Sequence, residues 1–173
     1  MLPSISIRLD NLIKALECTI VPAIAPDNGL AQEQAALSIG HLGLIKEQWD
    51  KALRFEQGTL NRLTAVAGKI LSMAQGGTET ARVVIAIEQT LDEMGSSLFQ
   101  SAEETSQWVN RLGAQIENML DAAEDDGNKE FIGRLEALVL NYSQIQALRE
   151  RAWFQAAGMD PEQQELPNIE DIL

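Results

Sequence analysis

Residues 29–55, GLAQEQAALSIGHLGLIKEQWDKALRF, are apolar around more than half the circumference of the helix they would form. At about 100° per residue, Ala31, Ala35, Leu42, Ile45, Trp49 and Leu53 make one stripe, and Leu30, Leu37 and Leu44 an adjoining one. A surface helix needs an apolar arc of only ~100°. So broad an arc demands neighbours on several sides. The stretch is therefore expected to be the central rod of a helical bundle. Glu33, Glu47, Asp50, Lys51 and Arg54 fill the remaining arc and should face water. Ala36, Gly40 and Gly43 lie on that side or at its edge. Two glycines so close together each cost ~1 kcal/mol relative to alanine, which a close helix crossing or a bend should offset. Ala36, Gly40 and Gly43 are thus the candidate self-association face.

Gln34, Ser38, His41 and Gln48 fall between the two apolar stripes. A buried polar group without a partner costs about 1–3 kcal/mol, so hydrogen bonds between helices are expected here. The same residues can be read as a pocket wall anchored by the chain's only histidine. On that reading the ligand-binding candidates are Gln34, His41, Ile45, Gln48 and Trp49, with Trp108, Tyr142 and Trp153 as aromatic partners.

Three- and four-residue apolar spacing recurs along the rest of the chain and predicts further amphipathic helices. Leu9, Leu12, Ile13, Leu16 and Ile20 mark the first, which Pro22 should end or kink. Asp27 or Asn28 can cap the central helix. Gln57-Gly58-Thr59 reads as the next break, with Thr59 a helix cap, unless the central helix continues through a bend at Gly58. Leu60, Leu63, Ala67, Ile70 and Ala74 then define a helix stopped by Gly76. Thr78 should cap the next, which carries Val84, Ile87, Leu91, Met94 and Leu98 and weakens at Gly95-Ser96-Ser97. Ser101 and Glu104 have capping-box spacing ahead of Trp108, Leu112, Ile116, Met119 and Ala123. A last helix carries Phe131, Leu135, Leu138, Tyr142, Ile145, Arg149, Ala152 and Ala156, and stops at Gly158.

No stretch alternates apolar and polar residues for long, so no strand is expected. The fold class is all-α, an antiparallel bundle of about five to six helices joined by short connections. Residues 1–158 are expected to form a single domain. Residues 159–173, with Pro161, Pro167 and several acids, should be an extended or disordered tail. Its Leu166, Ile169, Ile172 and Leu173 could dock on a protein partner.

The net charge is −13, and its placement is uneven. Residues 1–75 hold seven bases and seven acids; residues 76–173 hold six bases and nineteen acids. Nucleic-acid binding rests on clustered Lys and Arg, so it is disfavoured, as is binding to an anionic membrane. The neutral half opposes self-association least. A homo-oligomer is expected, a dimer before other states. The single cysteine, Cys18, rules out an intrachain disulfide and reads as a packing residue. The amino terminus has no uninterrupted apolar run, and no segment reaches the ~20 apolar residues of a membrane span. A cytoplasmic location follows as an expectation.

Catalytic signatures are missing. The chain has no G-x-G-x-x-G, P-loop or G-x-S-x-G. One His and one Cys cannot make a zinc site. A di-iron bundle needs two Glu-x-x-His motifs, and position 38 is Ser. No cofactor is expected. Glu117, Asp121, Glu124 and Asp125 share a helix face, as do Glu88 and Asp92, and both sets read as solvated surface rather than as Mg²⁺ or Ca²⁺ sites.

The segment His41-Leu42-Gly43-Leu44-Ile45-Lys46 resembles the histidine segment of histidine phosphotransfer domains, which are acidic helical bundles. The resemblance implies a phosphorylatable His41 presented to solvent. Those domains usually carry Lys three residues after the histidine and Gly next, where this chain has Leu44 and Ile45, with its Lys at 46. The helical projection also places His41 inside the apolar arc. A non-catalytic interaction or structural protein is the leading expectation, with a small-molecule-binding or sensing bundle second.

Overall fold

The computed structural model describes residues 2–95, 101–158 and 160–173. Among them the fold is all-α, a helical bundle without strands. Its helices are α1 (Ile5–Ala15), α2 (Val21–Ala23), α3 (Gly29–Gln48), α4 (Ala52–Met73), α5 (Thr78–Gly95), α6 (Ala102–Asp126) and α7 (Lys129–Trp153). Leu98, Ser96 and Ser97, placed by the sequence near the end of α5, lie outside the described residues.

The chain divides into two compact units. One comprises Met1–Lys51 with Glu150–Ile169, the other Ala52–Arg149 with Glu170–Leu173. We call them the amino-terminal unit and the bundle unit.

The bundle unit is α4, α5, α6 and the first part of α7. Its core consists of Leu63, Val66, Ala67 and Ile70 of α4, Val83 and Ile87 of α5, Leu112, Ile116, Met119, Ala122 and Ala123 of α6, and Phe131 and Leu135 of α7. α4 runs antiparallel to α7, and α5 to α6. At one end Asn128, before α7, donates its amide to Gln75 Oε1 (2.7 Å), just after α4. At the other, Thr59 near the start of α4 meets Gln146 and Arg149 near the end of α7. The start of α5 likewise meets the end of α6. Asp126 accepts from the backbone N–H groups of Glu79 (2.7 Å) and Thr80 (3.1 Å) and from the Thr80 hydroxyl (2.6 Å). The Thr80 hydroxyl and then these amides hold the Asp126 carboxyl below its ordinary range. The sequence assigns the α5 cap to Thr78, but Thr78 is already the first helical residue and the capping carboxylate comes from α6. Ser101 does cap α6, accepting from Glu104 N–H (3.1 Å).

Gly58 is not a break. α4 runs straight through it, and Thr59 donates its hydroxyl to Phe55 O within the helix instead of capping a new one. The reason lies in Arg149. A Cβ at Gly58 would lie 2.8 Å from Arg149 Nη2, so the glycine makes room for a guanidinium. Arg149 is buried (2% exposed). Its Nε donates to Ile172 O (2.8 Å), its Nη1 to Thr59 Oγ1 (2.8 Å) and Gln146 Oε1 (2.9 Å), and its Nη2 to Phe55 O (3.3 Å). The guanidinium also stacks 4.5 Å from the Phe55 ring centroid, a favourable cation–π distance.

The amino-terminal unit holds α1, α2, α3 and the chain after Arg149. Between α1 and α2 the helix widens into a π turn over Leu16–Ile20, with Val21 N–H bonded to Leu16 O. Pro22 has no N–H to give to the carbonyl four residues back, and the wide turn absorbs that loss. Asn28 caps α3 through Ala31 N–H (3.2 Å). Lys46 of α3 pairs with Asp10 of α1 (2.7 Å).

The central-rod expectation for 29–55 is corrected here. α3 stops at Gln48, and Lys51 Nζ closes its end by donating to Glu47 O (3.0 Å). Residues 52–55 belong to α4. Ala35 is the one buried residue of α3, while Leu30 is 69%, Leu37 41% and Trp49 40% exposed. Apolar groups spread so evenly around an axis give no single face for a neighbour to cover. Cys18, read as a packing residue, is exposed.

Residues 160–173 are folded into two short 3-10 turns, Gln163–Glu165 and Ile169–Asp171, where the sequence suggests an extended tail. Leu166 and Ile172 are buried. Arg151 grips Asp160 with two bonds (2.8 and 2.9 Å) and Glu162 with a third (2.8 Å). The Gln155 and Gln163 side chains each donate to the other's backbone carbonyl. Short polar segments order when their side chains close local rings of this kind.

Candidate functional site

The face of α3 that repeats every three to four residues through Glu33, Ala36, Leu37, Gly40, His41 and Leu44 forms one wall of a cleft in the amino-terminal unit. Ala156 and Ala157, in the 3-10 turn after α7, form the other. Gly158 closes that turn in the left-handed conformation, φ 68°. The cleft measures about 320 Å³. Small residues create it: a Cβ at Gly40 would meet nothing within 4 Å. Leu37 and Leu44 supply its bulky apolar edges.

Of the candidate ligand residues, His41 alone lines this cleft. It is exposed, not inside an apolar arc. Gln34 is exposed too, and its backbone oxygen accepts the Ser38 hydroxyl (2.8 Å) within α3. Ile45 and Trp49 are exposed and lie outside the cleft lining. Gln48 is half-buried and donates its amide to Trp153 O (2.8 Å), a bond that ties α3 to the end of α7 within this unit. Trp108 and Tyr142 belong to the bundle unit. Of the candidate association residues, Ala36 and Gly40 line the cleft and Gly43 does not.

The chemistry available is limited. Glu33 and His41 are eight residues apart, about 12 Å along the helix axis, too far for a carboxylate–imidazole pair. No cluster of three or more metal-ligating side chains occurs among the described residues. Glu117, Asp121, Glu124 and Asp125 of α6 are all exposed. The cleft is suited to receive an apolar side chain or ring, with one imidazole and one carboxylate at its margin.

Sequence reasoning missed the second wall. Ala156 reads as a core position of the last helix, whereas α7 ends at Trp153 and the following turn carries Ala156 to the cleft. It set Arg149 in the apolar register of the last helix, with Phe131, Leu135 and Ile145, without assigning it a role. Among the described residues no helix is long and apolar enough to cross a membrane. No protein-family model, curated protein or solved structure matches the chain.

Proposed function

We propose that this chain is a non-catalytic helical interaction protein that associates with a second copy of itself through its amino-terminal unit. The observation that carries this reading is the imbalance of apolar surface there. Among its described residues Leu9, Ala35, Ala152 and Leu166 are the buried apolar side chains, while Ile7, Leu12, Leu30, Leu37, Ile45, Trp49 and Phe154 stand exposed. Exposed apolar side chains that gather into a patch are the surface a partner covers, and Leu30, Leu37 and Ile45 stand on one helix. Within that unit charge is lightest on residues 1–51, which carry four bases and six acids, so repulsion between copies is least along α1 and α3.

Sedimentation equilibrium over a wide concentration range tests the proposal. The expected result is a reversible dimer that Leu37→Glu with Ile45→Glu weakens by about tenfold or more, equivalent to at least ~1.4 kcal/mol, with helix content unchanged by circular dichroism. A strict monomer at high concentration overturns it. A second reading, binding of a small apolar ligand, is favoured by the cleft beside His41, whose size falls at the lower end of the roughly 300–1,000 Å³ of ligand pockets.

A further inference from the structure

Arg62 and Lys69 stand seven residues apart on α4, two helical turns, so they share a face about 10 Å long. Val66 lies between them. Facing them within the bundle unit, α7 presents Leu138, Tyr142 and Ile145, and the two helices enclose a cleft of about 180 Å³.

The cleft carries two cations without a carboxylate partner, a state that Arg8, Lys14 and Lys129 share among the described residues. Most cations of this acidic chain end on a carboxylate: Lys46, Lys51, Arg54, Arg82, Arg111, Arg134 and Arg151 all do. Among the described residues, neither Arg62 nor Lys69 has a carboxylate within ion-pair distance. Arg62 gives one N–H to Gly58 O (3.1 Å), a bond inside its own helix. Two cations without a counter-charge thus flank an apolar floor.

We propose that this cleft binds a small organic carboxylate with a short aliphatic or single-ring body. The cations complement one anionic head, and Val66, Leu138 and Ile145 complement the body. Size sets the upper bound, because 180 Å³ is below the ~300 Å³ at which drug-sized pockets begin, so a long-chain lipid does not fit. Charge sets the other bound. A chain of net charge −13 repels a polyanion at long range and a monoanion least. The proposal is independent of self-association, which concerns the other unit.

Isothermal titration of the full chain with sodium octanoate is the test, with octanol as the uncharged probe of the same length. The expected result is saturable one-to-one binding of octanoate, weakened about fivefold by Lys69→Gln, the effect of losing one partly exposed charge contact. Arg62→Gln, which keeps a donor for Gly58 O, should weaken it to a similar extent, and octanol should bind less tightly than octanoate. Lys69 is exposed, so its substitution leaves the fold intact, which an unchanged thermal transition verifies. Absence of saturation, equal binding of octanol, or indifference to both substitutions overturns the proposal.

Discussion

The two units use similar proportions of apolar residues to opposite ends. In the bundle unit, most apolar positions of α4, α5 and α6 fall on one side of each helix, Ile85 excepted, and the centre of that side is closed to solvent: Ala67, Ile70, Ile87, Leu112 and Met119 are fully buried. In the amino-terminal unit, the apolar positions of α3 go all the way round, and only Ala35 is buried. Amount of hydrophobicity therefore does not decide burial. Its angular concentration does, because a helix can offer one continuous face to each neighbour. The lesson is that a helix too evenly apolar is poorly served by its own chain. Such a helix is suited to a partner.

The comparison can be broken most sharply in the bundle core. Ile87→Ala removes a fully buried side chain from the layer that joins α5 to α6, and should cost about 3 kcal/mol in urea denaturation. Leu37→Ser on α3 should cost no more than about 0.5 kcal/mol in the same assay. Equal losses would show that both units contribute alike to the stability of the fold.

Next in size is Arg149→Leu. It removes the donor from Phe55 O, Thr59 Oγ1 and Ile172 O at once. Phe55 O keeps the Thr59 hydroxyl and Thr59 Oγ1 keeps the Gln146 amide, but Ile172 O loses this donor, so a loss of about 2 kcal/mol is expected. The same change should raise hydrogen exchange at residues 170–173, which Arg149 holds. Stability within 0.5 kcal/mol of the parent, about the scatter of an ordinary surface substitution, would reduce Arg149 to a bystander.

The smallest effect concerns acid. Asp160 is held down to about 2, first by the Arg151 guanidinium and then by the Glu162 backbone N–H. A carboxylate lowered in the folded state contributes stability that is present above its unfolded value of about 3.9, and loses it as the pH falls towards 2. NMR titration should find Asp160 ionised at pH 3, and Arg151→Ala should return it to the ordinary range. An ordinary titration in the parent protein would mean that the turn after α7 is not held by this ion pair.

Much of the bundle unit was legible in the sequence. The spacing of Leu63, Ile70, Ile87, Leu112, Met119, Phe131 and Leu135 names its core, because each series marks a single face. Ser101 with Glu104 names a helix start, because that signal is local. What was illegible depends on distant partners. Gly58 reads as a stop until Arg149 is placed against it. Thr78 reads as a cap until Asp126 arrives from another helix. The break at Trp49-Asp50-Lys51 contains neither Gly nor Pro. His41 was assigned to the interior because a projection assumes that an apolar arc is covered. The cleft beside it needed a turn more than one hundred residues away.

The Asp126 cap bears on the order in which a growing chain can settle. The first amides of α5 wait for a carboxylate 46 or 47 positions downstream. A ribosome that has released α4 and α5 has delivered helices whose shared corner is still unsecured. Only when the last turn of α6 emerges can that corner close, so α5 and α6 should acquire protection from exchange together rather than one after the other.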